Sequence, residues 1–138
     1  MSASTQATGN GVLLDTTIVV NHFRATNTAL KAHLQAGGNV YLPLTVLGEL
    51  LAGAGRVTRR EKALHQINTF LLLASLLLPD ETTATNYGDI HAELAKAGTP
   101  IPQNDIWIAA QAREHQLPLA THDAHFAQVP GLTVLDWR

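Results

Sequence analysis

Short apolar runs alternate with longer stretches of helical period along this chain, and that alternation leaves few folds open to it. The runs GVLLD (11–15), NVYLP (39–43), LLLP (76–79), LPLATHD (117–123) and LTVLDW (132–137) are each of strand length. Strands separated by helical segments are the sequence sign of βαβ units, whose crossovers make neighbouring strands parallel. The expected fold class is therefore α/β: a three-layer α/β/α sandwich around a central parallel sheet of four to five strands.

The helical segments carry their own punctuation. TTIVVNHFRAT and NTALKAHLQAG read as two pieces, with Asn27 or Thr28 as a cap and Gly37-Gly38 as a stop. LTVLGELLAGAG is a helix closed by glycines, and TRREKALHQINTFLLLA opens on a capping box formed by Thr58 and Glu61. Ala84, Tyr87, His91 and Leu94 keep helical spacing up to Gly98, followed by the proline-rich TPIPQ. NDIWIAAQAREHQ starts at the cap-type Asn104 and is apolar nearly all round through Ala110, which predicts a buried central helix.

At 138 residues the chain fits one domain, expected over 11–138, with the small, polar residues 1–10 as a disordered leader. That start has no basic region leading into an apolar core, so no secretory signal is visible. The longest apolar stretch, FLLLASLLL, is about half the ~20 residues that span a membrane, which predicts a soluble, cytoplasmic protein. With no cysteine, any metal must bind oxygen or imidazole.

Most of the acidic residues sit where solvated charges belong, near helix starts or on polar faces, as Glu61, Asp80, Glu81, Asp89, Glu93 and Glu114 do. Four do not. Asp15 in VLLDTTIVV, Glu49 in TVLGELLAG, Asp105 in QNDIWIAA and Asp123 in LATHDAHF are embedded in apolar sequence or stand at a strand exit. In a parallel sheet every strand delivers its C-terminal end to one edge, and ligands bind in the crevice outside it. Asp15 and Asp123 leave strands at that edge, Asp105 opens a helix running back from it, and Glu49 lies about a turn and a half into the helix after the second strand.

Four converging carboxylates repel one another, so their convergence costs stability unless a cation is present. An all-oxygen donor set favours Mg2+ or Mn2+ over zinc, and such a centre suits hydrolysis of a phosphodiester, where the cation offsets charge on the phosphoryl and leaving oxygens. Thr16 or Thr17 can bind a carboxylate or phosphate, Asn104 can orient Asp105, and Thr121 can do the same beside Asp123. Thr17 and Asn104 are equally suited to capping helices. The net charge of −2 argues only weakly against a nucleic-acid partner, because setting the four clustered acids aside leaves nine basic residues against seven acidic.

Taken together, LLDTTIVVNHFR, VYLPLTVLGELLAG, NYGDIHAELAKAGTPIPQNDIWIAA and LATHDAHF resemble the PIN-domain ribonucleases, specifically the VapC-type toxins of toxin-antitoxin pairs. The likeness spans residues 11 to 138 and rests on the order and spacing of all four pieces. It implies a Mg2+-dependent endoribonuclease, Mn2+ serving as an alternative ion, with Asp15, Glu49, Asp105 and Asp123 at the family's acidic positions and Thr17 at its hydroxyl position. It also implies a homodimer, a VapB-type antitoxin that reaches toward the acidic pocket, and an RNA substrate such as tRNA or ribosomal RNA. Many relatives carry a further acid where His125 stands here, which leaves the ligand set of this loop open.

His122 and His125 are three apart in THDAHF, but no third imidazole has zinc-ligand spacing, and His125 reads as a surface histidine or a contact for substrate phosphate. Arg56, Arg59, Arg60 and Lys62 form the one basic cluster, as suited to a solvated helix start as to phosphate or antitoxin contact. Trp107 and Trp137 read as core and C-terminal packing. A signalling receiver is also small, doubly wound and acidic at its strand ends, with Asp80 as phosphoacceptor here, but Lys96 lies in a helix rather than near the last strand. A non-catalytic RNA- or protein-binding module keeps the fold and leaves the intact acids unexplained.

Overall fold

The computed structural model describes residues 11–138, so the leader expected over 1–10 lies outside the described residues. The chain runs β1 (Gly11–Leu14), α1 (Thr16–Ala25), α2 (Thr28–Gln35), β2 (Asn39–Pro43), α3 (Leu44–Ala54), α4 (Arg60–Phe70), β3 (Ser75–Leu77), α5 (Glu81–Ala97), α6 (Gln103–His115), β4 (Leu119–Thr121), a 3-10 turn (Ala124–Gln128) and β5 (Val134–Asp136). All five strands pair in parallel in the order β3-β2-β1-β4-β5, and six helices flank them in a three-layer α/β/α arrangement.

Position in the sheet explains why β1 is apolar throughout. It lies between β2 and β4, with Val12 opposite Val40 and Leu14 opposite Ala120, and all four of its residues are buried. Ile18 and Val19 of α1, Val46 of α3 and Ile67 of α4 pack into the same core as Ile106, Ile108, Ala109 and Ala112 of α6. Six residues of α6 are buried, as expected of a central helix, and α5 packs along it. Its Gln111 amide donates to the Leu77 carbonyl at 3.2 Å, satisfying the one polar side chain that this helix buries.

Several boundaries differ from the sequence reading. Strand β3 ends at Leu77, because Leu78 is exposed and Pro79 has no N–H for a ladder. Helix α4 starts at Arg60 without a side-chain cap, so Thr58 and Glu61 form no capping box. The box occurs at α5 instead, where Asp80 Oδ1 accepts the Thr83 amide at 3.1 Å and Thr83 Oγ1 accepts the Asp80 amide at 3.0 Å. Helix α6 is entered through Pro102, whose missing N–H needs no partner, so Asn104 is not its cap. Glu114, read as solvated, accepts the buried Thr83 hydroxyl at 2.6 Å. Trp107 is half-buried against Tyr87, with ring centroids 4.1 Å apart, rather than in the core.

Candidate active site

From β1 the chain builds outward through β2 to β3, then crosses back to lay β4 on the other side of β1. Strand order thus reverses between β1 and β4, and a doubly wound sheet opens its crevice at that point. Asp15 follows β1 directly, and Asp123 follows β4 after one intervening residue.

Asp15 is 4% exposed, and both its carboxylate oxygens accept hydrogen bonds. Oδ1 accepts the Thr16 amide at 2.8 Å, which caps α1, and Oδ2 accepts the hydroxyls of Thr17 at 3.1 Å and Thr121 at 2.7 Å. Each hydroxyl also accepts a backbone amide of the loop after β4: Thr17, across the crevice, that of His122 at 3.1 Å, and Thr121, within its own turn, that of Asp123 at 2.8 Å. Thr17 thus holds the Asp15 carboxylate, and Thr121, expected to orient Asp123, donates its hydroxyl to Asp15 instead, so that the two threonines stitch the exits of β1 and β4 together.

The Thr16 hydroxyl donates to Glu49 Oε1 at 2.7 Å, tying α3 to the same turn. Asp105, in the first turn of α6, meets the loop after β4 directly: His125 Nδ1 lies 3.2 Å from Asp105 Oδ2 and 3.1 Å from Asp123 Oδ1. Ligand atoms of Asp105, Asp123 and His125 all lie within 4.8 Å of one another. Asp105 and Asp123 come together at the His125 ring, Asp15 joins through Thr121, and Glu49 borders the group through Thr16. Asn104 is exposed and makes no hydrogen bond to Asp105, a correction to its expected orienting role, because its position in the first turn of α6 points it to solvent.

Burial pushes the Asp105 carboxyl up to about 6, with the negative charges of Asp123 and Asp15 adding to the rise and the His125 hydrogen bond opposing it. A crowded carboxylate that resists ionising is what an acidic site looks like before a cation neutralises it. With oxygen and imidazole donors and no cysteine anywhere in the chain, the donor set fits a hard or borderline dication. The feature hardest to read in advance was the imidazole, whose only sequence signal is the Asp-x-His spacing at 123 and 125.

A groove of about 490 Å³ opens from Thr16 and Glu49 between α1, α3 and α4, with Phe23 and Ile67 on its wall and Arg24 and Arg56 at its rim. Neither arginine has an ion-pair partner among the described residues. Asp80, the acid a receiver would need, is occupied in capping α5, and β3 before it is an edge strand rather than the middle one.

The family model described as PIN domain matches residues 12–132. A protein named tRNA(fMet)-specific endonuclease VapC from Shigella flexneri is 31% identical over 127 residues, covering 91% of this chain and 96% of its own length. Ribonuclease VapC2 of Haemophilus influenzae has the same identity and coverage. Among solved structures, DNA-bound VapBC from Salmonella typhimurium superposes with a TM-score of 0.87 at 26% identity, over 93% of this chain and 98% of that one.

Proposed function

This chain belongs to the PIN-domain family and, within it, to the VapC ribonucleases, and on that premise we propose which of its residues carry the chemistry and on what. The protein is an endoribonuclease toxin of the VapC type. Asp15, Glu49, Asp105 and Asp123 are its catalytic acids and hold Mg2+, or Mn2+ in its place. The observation that carries this assignment is the convergence at the β1/β4 crevice of three carboxylates linked through Thr121 and His125, with Glu49 attached through Thr16.

When bound, the cation offsets charge building on the phosphoryl group and activates water for attack. The chain's own residues do the positioning. Thr17 and Thr121 fix the Asp15 carboxylate, leaving Oδ1 a lone pair beyond the Thr16 amide. Thr16 orients Glu49, and the Asp123 amide, held by Thr121, sets the loop against Asp105. Pre-ordered acids of this kind lower the cost of arranging charge at the moment of reaction.

The substrate is RNA, and the Shigella relative named for tRNA(fMet) supports a structured RNA of the tRNA class. The VapBC complexes among the structural neighbours support a VapB-type antitoxin as partner. Its inhibitory segment would lie in the groove beside Glu49, with acidic groups toward Arg24 and Arg56. The protein would act as a homodimer in the cytoplasm; no described helix is long and apolar enough to cross a membrane.

The test is RNA cleavage by wild type, Asp15→Asn and Asp105→Asn, with end mapping of the products. Loss of metal-dependent cleavage in both variants is expected, and wild-type cleavage in both would overturn the assignment.

A further inference from the structure

His125 has so far appeared only as a neighbour of the acids, but its ring is placed in a way that a surface histidine does not need. The side chain is half exposed, and its Nδ1 faces inward, 3.1 Å from Asp123 Oδ1 and 3.2 Å from Asp105 Oδ2. Nε2 makes no hydrogen bond among the described residues, so the polar contacts of the ring are with these two oxygens. The backbone beneath it is fixed as well. The His125 amide donates to Asp123 Oδ1 at 2.9 Å, the Asp123 amide to Thr121 at 2.8 Å, and the next residue, Phe126, is fully buried.

We propose that His125 is a metal ligand through Nδ1, adding a nitrogen donor beside one oxygen each of Asp105 and Asp123 to the acidic site, which thereby selects Mn2+ over Mg2+. This rests on the metal-dependent reading above and adds to its acids a nitrogen ligand and the identity of the preferred ion. The spacing supports it. Ligand bonds of about 2.1 Å at right angles put neighbouring donor atoms about 3 Å apart, which is the separation of Nδ1 from each carboxylate oxygen here, all three donor atoms lying within 4.8 Å of one another.

The chemistry supports the choice of ion. Mg2+ takes oxygen ligands and dehydrates reluctantly, whereas imidazole suits the transition dications. Replacing a carboxylate with imidazole at this position also removes one negative charge, and with it part of the attraction that a Mg2+ site relies on. A histidine serving only to grip substrate phosphate would need no more than its outer nitrogen, whereas the inner one, Nδ1, points here into the cluster.

The experiment uses the full chain, wild type and His125→Gln, with circular dichroism to verify folding and Asp105→Asn as the control for the underlying site. Calorimetry with Mn2+ and with Mg2+ separately should give a wild-type Mn2+ affinity at least about tenfold above that for Mg2+. In His125→Gln the Mn2+ affinity should fall by about 10- to 100-fold while that for Mg2+ changes by less than about threefold. Pulsed electron paramagnetic resonance of the Mn2+-loaded protein should show coupling to a directly bound nitrogen in wild type and none in His125→Gln. Mn2+ binding without that coupling, or coupling that survives in His125→Gln, would overturn the role of His125 and leave the acidic site standing. Binding of neither ion to wild type, or equal binding to Asp105→Asn, would overturn the metal-dependent reading itself and the His125 proposal with it.

Discussion

Asp105 is the carboxylate least at ease in the metal-free chain, and its protonation couples to stability in a direction opposite to that of an ordinary salt-bridged acid. Its folded value of about 6 lies above the usual 3.8, so the folded chain holds an extra proton between those values. The stabilisation that proton carries is complete below pH 3.8 and is lost as the pH rises through about 6. Metal-free protein in chelator should therefore show a melting temperature that declines across that window, and Asp105→Asn should flatten the decline. The same variant should be at least as stable as wild type at pH 7 while losing about 100-fold or more in cleavage. Melting curves from pH 4 to 8, run beside an RNA cleavage assay, check both halves. The four acids proposed for the site, Asp15, Glu49, Asp105 and Asp123, stand out in the sequence because each is embedded in apolar residues, where an unpaired charge is expensive, or follows a strand. The bond that Glu114 accepts is not readable because its partner Thr83 is 31 residues away, nor is the approach of His125 to Asp105, because a 3-10 turn has no periodicity from which to read the direction of a ring.

Helices and strands were legible where long apolar periods dominate, as in α6, and illegible where a cap decides the boundary, since several short polar residues compete to serve. The corner between α1 and α2 shows how much one such residue can do. Asn27 is 2% exposed; its Oδ1 accepts the Leu30 amide at 2.9 Å to cap α2, and its Nδ2 donates to the Trp137 carbonyl at 2.7 Å and Asn21 Oδ1 at 3.0 Å. Sequence reading could place the cap but not the second role, because the partner lies 110 residues along the chain. Asn27→Ala should cost about 1–3 kcal/mol, the lost cap plus buried groups left short of a partner, read from the urea midpoint. Its amide also donates to His22 Nδ1 at 3.1 Å, which requires that nitrogen to be unprotonated. Burial lowers the His22 value below 6.5, so this element's stabilisation is present above pH 6.5 and is lost as the pH falls below it. His22→Gln, which keeps an acceptor for the amide, should remove that acid-side loss; an unchanged acid limb in the variant would show that the corner does not titrate. The sign is opposite to that at Asp105, so the two variants separate overlapping effects.

At the scale of the whole molecule, alternating strands and helices determine that the sheet is parallel and that its carboxyl ends share an edge, but not the order of the strands. The order β3-β2-β1-β4-β5 follows from the return of the chain across β1, and it is this return that brings Asp123 to Asp15. The proposed site therefore lies where two halves of the sheet meet, and a cation bound there should stabilise both halves together. A ligand that binds only the folded chain adds RT ln(1 + [L]/Kd), about 2.7 kcal/mol at a hundredfold excess over Kd. For a domain of this size that corresponds to a rise in melting temperature of about 9 °C. Mn2+ at that excess should produce such a rise near pH 7.5, where Asp105 is ionised, and chelator should reverse it. Sodium chloride at equal ionic strength should produce far less, because screening weakens repulsion between charges without coordinating them. In Asp105→Asn the rise should collapse, since the cation loses a ligand whose crowding made binding favourable. A full rise in that variant would place the cation elsewhere on the protein, whereas a rise that disappears at pH 5 and returns at pH 7.5 would tie it to protons competing for these carboxylates.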